Sequence, residues 1–252
     1  MKIVERTIFA LLVGLFGFSL ANVCHAEDNL VQDMIKFDQH YIPALAFTSD
    51  EQLPQSRSAM QALLPVWQSF QQRYANSRSN DKQWLTDFNT VNNYIDQAKK
   101  IVASGDNLKD AHEALEHIRI VFMQLRQRNN IDYYIDNLTR FHEPMEKIVL
   151  AGKGKTVDTF QAQQMATIRD TLPQAKKLWK ATITKPFDAK QYGFNQEQAK
   201  LMQSLVHQQM LTLEQLEKTL ASKDKQAIIN AAVAIKPNFA RIFKMFGRFS
   251  DT

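Results

Sequence analysis

Residues 108–125 read LKDAHEALEHIRIVFMQL. Leu108, Ala111, Leu115, Ile118, Phe122 and Leu125 recur at alternating spacings of three and four. That spacing lays them along one stripe of an α-helix and fits no strand, whose side chains alternate with a period of two. Ser104-Gly105-Asp106 precedes the stretch and Asn129-Asn130 follows it, and both are turn-forming clusters. The segment therefore reads as one amphipathic helix with an a/d seam.

The same pattern continues in both directions. Trp84, Phe88, Val91, Ile95, Ala98 and Val102 form one further stripe, and Met202, Val206, Leu213, Leu216 and Leu220 another. Glycine is scarce, the chain is rich in Ala, Leu, Gln, Lys and Glu, which favour helix, and no alternating strand pattern of useful length occurs. The remaining breaks fall at Gly152-Lys153-Gly154 and from Lys185 to Gly193. The fold class is all-α.

The helices also fall into two collinear sets, offset by a little over 100 residues. Met34, Phe37 and Pro43 correspond to Ile135, Leu138 and Pro144. Met60, Leu64, Pro65 and Phe70 correspond to Ile168, Leu172, Pro173 and Leu178, and Ile118, Arg119, Phe122 and Leu125 to Ile235, Lys236, Phe239 and Ile242. The expected helices are 29–43, 57–76, 82–104 and 108–129, then 131–151, 160–184, 195–222 and 225–248. Short connections favour antiparallel neighbours, so the expected architecture is two tandem up-down-up-down four-helix bundles, residues 27–129 and 130–252.

Residues 1–26 carry the marks of a cleaved signal peptide. Lys2 and Arg6 are followed by an apolar run from Ile8 to Leu20, the length of a signal h-region and too short to span a bilayer. Cys24-His25-Ala26 presents small residues at both positions a signal peptidase reads, which places cleavage after Ala26 and the protein in the periplasm or outside the cell. Cleavage removes the only cysteine, Cys24, so the remaining 226 residues hold no disulfide, thiolate zinc site or C-x-x-C-H. The net charge falls from +5 to +4 with the loss of Lys2, Arg6 and Glu5. The densest basic stretch, Arg119 to Arg128, is interrupted at helical spacing by Phe122 and Leu125 and reads as a solvated helix face rather than a nucleic-acid track. No second apolar run is long enough for an integral membrane protein.

In helix number, helix length and a last helix such as Leu115–Arg126 with basic and aromatic residues near its end, each half resembles the soluble four-helix-bundle cytochromes, the cytochrome c prime and periplasmic b-type group. The resemblance implies the bundle fold. The b-type members take haem between a Met early in the first helix and a His late in the last. Met34 matches the first position, Met123 is what the fourth helix offers for the second, and residues 240–246 contain no His. The missing histidine argues against haem.

Five histidines remain after cleavage: His40, His112, His117, His142 and His207. His112 and Glu116 flank the Leu108–Phe122 stripe, whereas Glu113 and His117 point away from it. Their counterparts in the second half are the apolar Ile229 and Val233. With the end of the first helix beside the start of the fourth, His40, His112 and Glu116 form a candidate divalent-metal site. A second candidate is His142, Met145 and Glu146, on the inward face of the fifth helix, where imidazole with thioether suits copper and carboxylate widens the choice to zinc. Pro144 would free the carbonyl of Arg140 in that helix, and Pro43 holds the matching place in the first half. No G-x-S-x-G, P-loop or G-x-G-x-x-G occurs, and His112 and His117 are five apart, off the i, i+4 spacing of a zinc-protease helix. The expected function is an exported binding protein, with a transition metal as the first ligand to test. A b-type haem carrier and a structural or partner-binding protein without a ligand are the alternatives.

Overall fold

The computed structural model describes residues 14–249 apart from residue 223, with side chains from residue 29 onward. Among the described residues all regular structure is helical: α1 (Gly14–Ser49), α2 (Leu53–Tyr74), α3 (Trp84–Ser104), α4 (Leu108–Arg128), α5 (Ile135–Gly152), α6 (Ala162–Thr184), α7 (Gln196–Ser222), α8 (Lys225–Val233) and α9 (Ile235–Lys244). The first part of the expected signal peptide, residues 1–13, lies outside the described residues. Leu30, three positions beyond the expected first residue of the mature chain, is already buried. No helix among the described residues is long and apolar enough to cross a membrane.

The chain packs as two sets of four helical segments. In the first, α1 packs on α2 and α4, and α3 on α4 and α2. In the second, α5 packs on α6 and on the α8–α9 pair, and α7 on α6 and the same pair. The sets meet where α4 faces α5 and α1 faces α9, and the apolar core runs continuously through both. Each set is centred on aromatic rings. Phe37, Trp67, Phe70, Phe88 and Phe122 lie with ring centroids 5.3–6.2 Å apart in the first. Phe141, Trp179 and Phe239 lie 4.6–6.4 Å apart in the second. The buried indoles have partners for their N–H groups: Trp67 donates to Asn92 Oδ1, Trp84 to the Tyr74 carbonyl and Trp179 to the Val206 carbonyl.

Helix ends follow local chemistry. Gly105 ends α3 in the left-handed conformation at φ 78°, where a side chain would be strained. Asn107 caps α4 through Lys109 N–H, and Asp224 caps α8 through Ala227 N–H.

Three expectations are corrected. The first helix does not end at Pro43 but continues to Ser49; α5 runs through Pro144, as its expected span 131–151 has it. The last helix of the second set is broken at Ala234 into α8 and α9. Pro237 has no N–H for the Val233 carbonyl, and it sits in the first turn of α9, where a proline is most easily accommodated. Finally, Arg119 and Arg126 do not belong to a solvated face, because both are buried.

The candidate metal centre between α4 and α5

The turn at residues 129–134 sends α5 back along α4, and a buried ion pair sets the register. Arg126 donates to both oxygens of Asp136 at 2.5–3.1 Å. Its guanidinium lies 4.2 Å from the Tyr133 ring centroid. Tyr133 in turn donates to Asp38 of α1 at 2.6 Å. Further along the two helices Glu116 of α4 faces His142 of α5.

There the two candidate sites of the sequence merge into one. Glu116, His142 and Glu146 each place a donor atom within 4.8 Å of the others. His142 Nε2 lies 3.8 Å from Glu116 Oε1, and its Nδ1 lies 3.8 Å from Glu146 Oε2. Both separations exceed a hydrogen bond. Donors around a tetrahedral ion with bonds of about 2.1 Å sit roughly 3.4 Å apart; one ion takes a single imidazole nitrogen, so donors lying up to 4.8 Å apart must draw together to hold it. Burial drives the His142 pKa down to about 2, helped by the positive charges of Arg119 and Lys236. The imidazole is therefore neutral at ordinary pH and its contacts with the carboxylates are not ion pairs; no proton competes with a metal for it.

His112 supports the group from the side. Its Nδ1 lies 3.0 Å from the Leu45 carbonyl of α1. A carbonyl only accepts, so Nδ1 carries the proton, and Nε2 faces Glu116 Oε1 at 3.5 Å. Arg119 holds the other oxygen of Glu116.

His142 and Glu116 stand between two spaces. On one side is a cavity of about 110 Å³ bounded by Leu45, Met145, Lys236, Phe239 and Phe243. On the other is an open cleft of about 680 Å³ bounded by Ile120, Met123, Thr139, Arg140, Glu143, Lys147, Leu150 and Leu178. Glu146 and Arg119 also face the cleft. Two buried polar atoms have no hydrogen-bond partner among the described residues, Arg119 Nε and Thr139 Oγ1. Leaving a buried group unpaired costs on the order of 1–3 kcal/mol, and both belong to residues of the cleft wall.

Of the residues singled out from the sequence, the structure joins His112, Glu116, His142 and Glu146. Met145 is buried on the small-cavity side of His142. His40 stays apart: its Nδ1 is engaged by the Lys36 carbonyl one turn back on α1. α1 continues past Pro43, and it is the Leu45 carbonyl that lies beside His112. The residues the sequence did not single out are Arg119 and Thr139. Arg119 could have been noticed, since His112, Arg119 and Arg126 recur every seven residues next to the apolar seam.

The haem arrangement does not fit. Met34 packs on Arg126, whose Nη1 lies 4.0 Å from its Sδ, Met123 faces the cleft, and the first set's interior is filled by its aromatic rings. No protein-family model matches this chain, and no match is found among the curated proteins or the solved structures compared with it.

Proposed function

We propose that this protein is an exported binding protein that holds a divalent transition metal at Glu116, His142 and Glu146, with two collinear four-helix halves as its scaffold. The observation that carries the reading is the convergence of these three donors from α4 and α5 within 4.8 Å. One imidazole and two carboxylates form a nitrogen–oxygen set that suits zinc or copper(II) better than copper(I), and three protein ligands leave a position open. His112 lies beside Glu116, with Nε2 3.5 Å from Oε1. Export is supported by the signal-like residues 1–26.

The test is calorimetric titration of zinc, and separately of copper(II), into the chelator-treated mature protein. One ion per chain is expected, with affinity falling about tenfold or more in Glu116→Gln and His142→Ala. Folded protein that takes up neither ion ends this reading.

A further inference from the structure

We infer that the cavity bounded by α1, α4, α5 and α9 binds a small monocarboxylate, its carboxylate on Lys236 and its hydrocarbon part against Phe239, Phe243 and Met145. The site is separate from the metal reading, since no ion is needed to form it.

Lys236 corresponds in sequence to Arg119 of the first half. Arg119 has Glu116 three residues back and pairs with it. At that place Lys236 has Val233, which offers no charge. Lys236 is half-buried and has no hydrogen bond or ion pair among the described residues. It lines the cavity, and its charge is felt at His142 on the same wall. The other charged groups of the wall are matched, Glu116 by Arg119 and Asp50 by Lys244. With its histidines neutral the wall therefore carries one excess positive charge. A cation partly withdrawn from water without a counter-charge is costly, and a carboxylate is the partner that relieves it.

The rest of the wall is apolar and sets the rest of the ligand. Lys236, Phe239, Ala240 and Phe243 fall at helical spacing on one face of α9, and Leu45 of α1 and Met145 of α5 bound the same cavity. Phe239, Phe243, Leu45 and Met145 are all buried. The cavity is about 110 Å³. An engineered apolar cavity of roughly 150 Å³ holds one benzene molecule, so the space here suits an acid of about four carbons. An inorganic anion would leave the apolar wall unused, and a neutral molecule would leave Lys236 without a counter-charge.

Butyrate is titrated by calorimetry into the chelator-treated mature protein, with butyramide and inorganic phosphate as comparisons. One butyrate per chain is expected, bound roughly tenfold or more tightly than either comparison. Lys236→Met keeps the aliphatic stem and removes the charge, and should weaken butyrate about tenfold, to the level of butyramide. Ala240→Leu fills the space and should abolish binding, with urea unfolding to show that the variant is folded. Folded protein that binds no butyrate, butyramide or phosphate binding as tightly, or a folded Lys236→Met or Ala240→Leu that binds butyrate like the parent would each overturn the inference. Zinc uptake is measured separately on the same protein: failure of the butyrate site leaves the metal reading standing, and failure to take up zinc leaves the butyrate site standing.

Discussion

The backbone N–H of Arg248 donates to the carbonyl oxygen of Gln39 at 2.8 Å. That carbonyl is available because Pro43, four residues on, has no N–H to offer it. The tail after α9 thus completes the hydrogen bonding of α1 at its proline and ties the two ends of the chain together. The approach is close: a Cβ on Gly247 would lie 2.9 Å from Ile42 Cγ2 and 3.1 Å from Ile42 Cβ. Ile42 is fully buried and cannot swing aside. Gly247→Ala is therefore expected to destabilise by about 1–3 kcal/mol through overpacking, although alanine is ordinarily the easier residue for a backbone. Urea unfolding checks this, and an unchanged midpoint would show that the tail yields.

Phe122 touches four rings of the first set, edge-on to Phe37, Phe70 and Phe88 and tilted against Trp67. Phe122→Ala leaves a cavity there and is expected to cost about 3–5 kcal/mol. The same truncation at the exposed Leu211 should change stability by only a few tenths of a kcal/mol.

The Arg126–Asp136 pair is buried on both sides. Arg126→Met strands a buried carboxylate and should cost about 3–5 kcal/mol. Arg126→Met combined with Asp136→Leu should cost less than Arg126→Met alone, since no half-pair remains. A double variant that loses the sum of the two single changes would contradict the pairing.

Asp38 is held up to a pKa of about 6, chiefly by burial, against the opposing pull of Arg126 and the Tyr133 hydrogen bond. The folded state thus binds a proton that the unfolded chain has released between about pH 4 and pH 6. Asp38's contribution is most favourable below about pH 4 and is lost as pH rises through about 6, by on the order of 3 kcal/mol. His142 works in the opposite sense in an overlapping window, because its folded pKa is depressed. The difference between the parent and Asp38→Asn isolates the aspartate: Asp38→Asn should gain on the parent from about pH 4 to pH 7 in denaturant melts. A pH-independent difference would mean Asp38 does not titrate there.

Zinc at a hundredfold excess over its dissociation constant should stabilise the mature protein by about 2.7 kcal/mol. His40→Ala should retain that gain, since His40 is engaged on α1. His112→Ala should reduce it partly and His142→Ala abolish it, read as shifts of the thermal midpoint with and without zinc.

The a/d stripe of α4, the stripes of α3 and α7, the turn at Ser104–Asp106 and the inward face of α5 could all be read from residue order. Each depends on the 3.6-residue period and on which residues cap or break a helix, and those are local properties. So were the chemical candidates His112, Glu116, His142 and Glu146, because polar residues beside an apolar seam stand out. Their meeting was not legible. It depends on the register between α4 and α5, set by the 129–134 turn and the Arg126–Asp136 pair, and a one-turn slip would separate Glu116 from His142. The partner of the Gln39 carbonyl that Pro43 leaves free was equally illegible, because it is Arg248, roughly 200 residues away in the chain. The burial of Arg119 and Arg126 was decided in the same way: a helix sees its own faces, and only the packed neighbours determine which of them meet water.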